Sequence, residues 1–249
     1  MLSRRTCLRQ SASALASAAL LRDARASEPR QALVGSQLFG WGQYYQREGK
    51  NLDEHLDEIF SALRDAGYDY AEHGLSRNAE ANGKLGERMK TKGLKPVSFY
   101  TGGGFHDEEK AAAEVEGLVA GARGAKEAGF TIVNCNPNAI GRDKTDRELA
   151  TQTKWLEVFG GELAKLGLKL GIHNHTPEMA NGAKEFHANL RQTGAEKVGF
   201  CYDVHWVFRG GIAPPDALAA YGSRIVSWHL RQSRGKIWWE DLDSGDVDY

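Results

Sequence analysis

The sequence has little of what several common architectures require. Its 249 residues include three cysteines, six prolines and three methionines. Cys7 falls in an N-terminal segment. Cys135 and Cys201 sit inside apolar strand-like runs, so no disulfide framework is expected to hold the domain, and both should be buried free thiols. No run of 18 apolar residues occurs, which argues against a membrane-spanning helix in the mature protein. Lysine plus arginine number 32 against 33 acidic residues, so there is no basic surplus to neutralise phosphates and no nucleic-acid partner is expected. The first strand-like run lacks the Gly-x-Gly-x-x-Gly turn of a dinucleotide-binding fold.

What is present points to one sizeable α/β domain: 41% of residues are hydrophobic and 26% charged, enough to bury a substantial core. The N-terminus reads separately. Paired Arg4 and Arg5, a modest apolar run from Ala12 to Leu21 and a small-x-small site at Ala24-Arg25-Ala26 resemble a twin-arginine export signal over residues 1–26. Export to the periplasm or beyond is therefore expected. That segment holds five arginines and one aspartate, and its removal leaves 27 basic and 32 acidic residues on a mildly acidic mature chain.

From residue 31 onward, short β-rich runs alternate with longer amphipathic ones. Seven strands are expected at Ala32–Phe39, Tyr68–His73, Lys95–Tyr100, Phe130–Cys135, Lys169–Asn174, Val198–Tyr202 and Ile225–Leu230. Between them lie helices around Leu56–Leu63 and over Asp107–Ala128, Thr145–Leu166, Ala180–Thr193 and Pro214–Tyr221. That alternation predicts a parallel sheet. Polar residues gather at the C-terminal ends of the strands, namely Glu72, Asn134, Asn136, His173, Asp203 and His229. This distribution predicts a (β/α)8 TIM barrel over residues 31–249 rather than an open doubly wound sheet. Seven strands are one short of a closed barrel, so the expectation includes a sequence that stops before the eighth.

Strand parity suggests what the polar ends do. In "VGFCYDVHW", Gly199, Cys201 and Asp203 share one side; in "IVSWHLR", Ile225, Ser227 and His229 share one; in "KLGIHNHTPE", His173 and His175 fall together and Glu178 lies beyond the strand. Asp203 and His229 therefore both point inward, with His173 and His175 beside them. Taken singly, such residues commonly cap a helix or satisfy a backbone carbonyl. Burying them together without a cation would leave charges uncompensated, whereas mixed oxygen and imidazole ligands suit one divalent ion such as Mn, Zn, Co or Fe.

The stretches "GLKLGIHNHTPE" and "CYDVHWVFRGGIAPPDALAAYGSRIVSWHL" resemble the xylose isomerase-like TIM-barrel family of sugar phosphate isomerases and epimerases, in its H-N-H-x-x-E subgroup; "AGYDYAEHGLS" matches more loosely. The resemblance implies a metal-dependent isomerase or epimerase acting through an enediolate on a ketose, keto-sugar or sugar phosphate. Related dehydratase or lyase chemistry, and a non-catalytic carbohydrate-binding protein, are the alternatives. It implies metal ligation by Glu178, Asp203 and His229, with the fifth-strand position shared in question between Glu178 and His173. Catalytic groups are expected among Glu178, His173, His175 and His205, and substrate contacts at Glu72, His106, Trp206 and Arg231. Two departures stand out: Trp206 replaces a common substrate-binding histidine, and Arg231-Gln232 replaces the Lys-Asp that often follows the seventh-strand histidine. "TGGGF", Thr101–Phe105, lacks the P-loop lysine and is expected to be a mobile loop rather than a phosphate cradle.

Overall fold

Leu56, Ile59, Phe60 and Leu63 recur at helical spacing and are all buried, so one face of the helix Leu56–Asp65 supplies core. A second helix begins where Thr145 accepts a hydrogen bond from the Glu148 N–H and the Glu148 carboxylate returns to the Thr145 N–H, a reciprocal cap of the first turn. The computed structural model describes residues 32–249, and the expected export segment lies outside them.

Strands and helices largely alternate over the compact unit Val34–Tyr249. They run β1 (Gly35–Gln37), α1 (Phe39–Arg47), α2 (Leu56–Asp65), β2 (Tyr70–Gly74), α3 (Ala79–Thr91), β3 (Ser98–Gly103), α4 (Glu108–Glu127), β4 (Ile132–Pro137) and α5 (Asp146–Lys165). Then come β5 (Lys169–Ile172), α6 (Ala180–Arg191), β6 (Val198–Asp203), α7 (Val204–Arg209), α8 (Pro214–Tyr221), β7 (Ile225–His229), and an antiparallel hairpin of β8 (Gln232–Arg234) and β9 (Ile237–Trp239). Strands β1 to β7 pair in sequential order, every pair parallel, with β1 and β7 at the two edges. This is the TIM-barrel arrangement, expressed in seven strands.

The sheet is curled, which follows from its cross-sheet contacts. In a flat sheet β2 and β7 would stand about 24 Å apart, five spacings of roughly 4.8 Å. Instead the His229 Nε2 of β7 lies 2.9 Å from the Glu72 carboxylate of β2, and the Ser227 hydroxyl of β7 donates to Asn134 Oδ1 of β4 at 2.6 Å. Inward residues are thus polar. The outward residues of the same strands, including Val133, Cys135, Leu170, Ile172 and Phe200, enter apolar clusters with the surrounding helices. Gly171 lets the interior close up, since a Cβ there would sit 2.6 Å from Asn134 Oδ1.

Several local expectations need correction. Only Gly35–Gln37 of the first run is strand, and Phe39 opens α1 instead. The segment Thr101–Gly103 is not a loop: it completes β3, pairing with Cys135, Asn136 and Pro137 of β4. Helix α3 and the β8–β9 hairpin went unread; α3 buries Asn82, Gly86 and Met89, a face with one apolar side chain of any size. Cys135 and Cys201 are buried free thiols. None of the helices among the described residues is long and apolar enough to cross a membrane.

Candidate metal centre

Asp203 ends β6 and His229 ends β7, and the two are register partners, so parity alone delivers them side by side at the C-terminal rim. His173 follows the last residue of β5, its N–H held by the Cys135 carbonyl of β4. Ligand atoms of His173, Asp203 and His229 lie within 4.8 Å of one another, and all three residues are buried. Among the described residues this is the cluster able to hold an ion.

Each side chain is aimed by neighbours. Asp203 Oδ1 accepts the Trp206 N–H at 3.1 Å and so caps α7, while Oδ2 faces His173 Nε2 at 3.2 Å and forms an ion pair with Arg231 Nη2 at 3.1 Å. The capping and site roles therefore coincide in one carboxylate. Burial alone would raise its pKa, but the hydrogen bond with His173 and the Arg231 charge hold it at about 2. His173 Nδ1 lies 3.2 Å from Asn136 Oδ1 and 3.3 Å from the Tyr100 hydroxyl. Burial depresses the His173 pKa to about 3, against the pull of Asp203, so its ring is neutral at physiological pH. The neutral ring donates from Nε2 to Asp203; moving that proton to Nδ1, where Asn136 Oδ1 would accept it, would free an Nε2 lone pair for an ion.

His229 shows the other half of the pattern. Its Nε2 engages Glu72 Oε1 at 2.9 Å, while its Nδ1 is buried with no partner. Although burial works the other way, Cys201 and Glu72 beside the ring raise its pKa well above the usual imidazole value. Glu72 is fully committed, its Oε2 accepting from Ser98 Oγ at 2.7 Å and Asn134 Nδ2 at 2.6 Å. Glu72, an expected substrate contact, thus supports His229 in the manner of a carboxylate that orients a ligating histidine. The orphaned Nδ1, the neutral His173 and the Asp203 carboxylate make a nitrogen-and-oxygen donor set that fits a divalent transition ion.

The remaining expected residues divide. Glu178, in a short 3-10 turn Pro177–Met179, is buried but stands outside the three-residue cluster: Oε2 accepts the His175 N–H at 2.6 Å and Oε1 accepts from Asn136 Nδ2 at 3.2 Å. Burial raises its pKa. It reaches His173 through Asn136, a bridging residue not among the expected contacts. The His175 ring is half-buried, makes no side-chain hydrogen bond among the described residues, and packs edge-on to His173 at 4.6 Å and Trp206 at 5.6 Å. Burial lowers its pKa. His205 is fully buried with both ring nitrogens unpartnered, between Trp206 at 4.7 Å and Trp238 at 6.2 Å; burial lowers its pKa as well. Trp206 Nε1 is also unpartnered. Arg231 reaches the cluster directly, whereas His106 makes no hydrogen bond and its Nδ1 is buried without a partner.

Among solved structures the chain is similar to a sugar phosphate isomerase/epimerase from Parabacteroides distasonis, with 18% identity, TM-score 0.69, and coverage of 91% of this chain and 82% of that one. An L-ribulose 3-epimerase matches at 18% identity and TM-score 0.66 over 88% of this chain and 74% of that one. The 3-keto-D-glucoside 4-epimerase of E. coli matches at 14% identity and TM-score 0.64 over 88% of this chain and 84% of that one. At these identities the likeness establishes the fold. No curated protein matches the chain. The family model described as xylose isomerase-like TIM barrel matches residues 60–249, and the chain belongs to that family.

Proposed function

We propose that the protein is a divalent-metal-dependent sugar isomerase or epimerase working on a ketose or keto-sugar. The observation that carries this reading is the buried His173–Asp203–His229 cluster at the C-terminal strand ends, with the His229 Nδ1 left open. The family, and the solved sugar epimerases of the same fold, support it.

His173, Asp203 and His229 would hold the ion, and the ion would supply Lewis acidity to a sugar carbonyl. The protein's own part is proton transfer and placement. His175 is the base: its ring carries no competing hydrogen bond, and its depressed pKa leaves it neutral with a lone pair to accept a proton at physiological pH. Glu178 holds the turn through its bond to the His175 N–H, and burial raises its pKa. His205 and Trp206, on the helix that Asp203 caps, carry unpartnered nitrogens that would meet sugar hydroxyls.

Incubation with a panel of ketoses and keto-sugars in heavy water, read by loss of the proton signal next to the carbonyl, tests the reaction. The parent should exchange one substrate's α-proton and His175→Gln should slow that exchange about a hundredfold or more, the usual span for losing a general base. Unchanged exchange in His175→Gln would remove it as the base, and no exchange on any sugar would remove the isomerase reading.

A further inference from the structure

Asp203 is the single carboxylate of the cluster, and its two oxygens are already taken. Oδ1 caps α7, and Oδ2 carries both His173 and the Arg231 guanidinium, 3.1 Å away. Any divalent ion at the cluster needs one of these oxygens and meets a neighbouring positive charge. A guanidinium does not yield by losing its proton, so it yields only by moving.

The surroundings allow that movement to the side chain alone. The Arg231 backbone is clamped, its N–H donating to the Tyr249 hydroxyl at 3.2 Å and its carbonyl accepting from the same hydroxyl at 2.8 Å. The guanidinium, however, sits over Trp238, its Cζ 3.8 Å from the ring centre. A planar cation keeps much of its attraction while sliding across an aromatic face. Trp238 borders Trp206 at 5.8 Å and His205 at 6.2 Å, so the aromatic surface continues from Arg231 to the helix that Asp203 caps.

Building on the metal reading above, we infer that Arg231 is a resident cation that occupies Asp203 in the metal-free protein, is displaced across Trp238 when a divalent ion binds, and then donates to substrate oxygens. Arg231 thus sets both the strength of metal binding and the way substrate is held. A purely structural Arg231, which preorganised Asp203, would have the opposite sign: its removal would weaken metal binding.

The test is calorimetric titration of the full chain with Zn²⁺ in the parent, Arg231→Gln and Arg231→Lys, with circular dichroism confirming the fold of each. Removing the competing charge should tighten Zn²⁺ binding by about tenfold or more in Arg231→Gln, with Arg231→Lys between the two. Equal or weaker binding in Arg231→Gln overturns the inference and leaves the metal reading standing. Absence of Zn²⁺ binding in all three proteins removes the metal reading itself. A second readout is independent of Arg231 variants: Zn²⁺ should change the tryptophan emission of the parent, and Trp238→Phe should abolish most of that change. A response of equal size in Trp238→Phe also overturns the displacement.

Discussion

Two buried ionic groups stand out among the described residues, and they are finished differently. In one, Lys144 and Glu185 form a 2.5 Å ion pair with the lysine side chain 1% exposed, and Gln152 donates to both Glu185 at 3.0 Å and Asn189 at 2.7 Å. Of its polar atoms only Gln152 Oε1 lacks a partner. In the other, unsatisfied atoms remain at and next to His173, Asp203 and His229: the His229 Nδ1 itself, and both nitrogens of His205 and Trp206 Nε1 on the helix that Asp203 caps. Burial of a polar group is costly unless it is paired, so a set that serves the fold closes on itself. A set that leaves several atoms open in one place is kept for something that arrives later.

Breaking the closed group should therefore cost stability and leave metal binding intact. Lys144→Met strands the Glu185 carboxylate in the interior and should destabilise the protein by about 3–5 kcal/mol, read from urea unfolding. Zn²⁺ affinity of the folded fraction should not change. A Lys144→Met protein as stable as the parent would mean the pair is screened by solvent after all.

Disturbing the support of the open group should do the reverse. Glu72→Gln removes the anion that orients His229 and should weaken metal binding by about 10–100-fold, while the hydrogen bonds from Ser98 and Asn134 are largely retained. The same support predicts a pH dependence. Because the His229 pKa is raised, the metal-free protein carries a proton on that ring above the pH where a free imidazole loses it. An ion taking Nδ1 must expel that proton, so metal affinity should rise with pH, by up to about tenfold per unit, until it passes the raised pKa. Titration in buffers of different ionisation enthalpy should show close to one proton released per ion. Affinity independent of pH between 6 and 8 would place the proton elsewhere.

The smallest expected effect belongs to neither group. Thr145→Ala removes the reciprocal cap of α5 and should cost about 1 kcal/mol with no effect on metal binding.

The comparison also explains what the sequence disclosed. All seven parallel strands were legible, because each is a short β-rich run bounded by turn residues, and Asp203 with His229 was legible because parity in two adjacent strands needs no knowledge of the tertiary fold. Helix α3 was not, since Asn82 and Gly86 do not register as a buried face. The bond between Glu72 and His229 was not legible, because the two lie 157 residues apart and only the curled sheet brings them together. The division between His173 and Glu178 depended on backbone beyond β5. There Asn181, Gly182 and Ala183 turn left-handed, with φ of 51°, 67° and 60°, before α6 settles into its regular course. The Asn-Gly pair was the available signal for that turn. Arg231 on Asp203 could not have been read at all, because it depends on a clamp by Tyr249, 18 residues on.

The account rests on an ion held by His173, Asp203 and His229, and Asp203→Asn addresses it most directly. The substitution preserves shape and the cap on Trp206 while removing the anionic ligand. Calorimetry with Zn²⁺, alongside elemental analysis of the purified protein, should show about one ion per chain in the parent and affinity lowered by about a hundredfold or more in Asp203→Asn. Equal metal content and affinity in the two proteins would contradict the assignment of the centre.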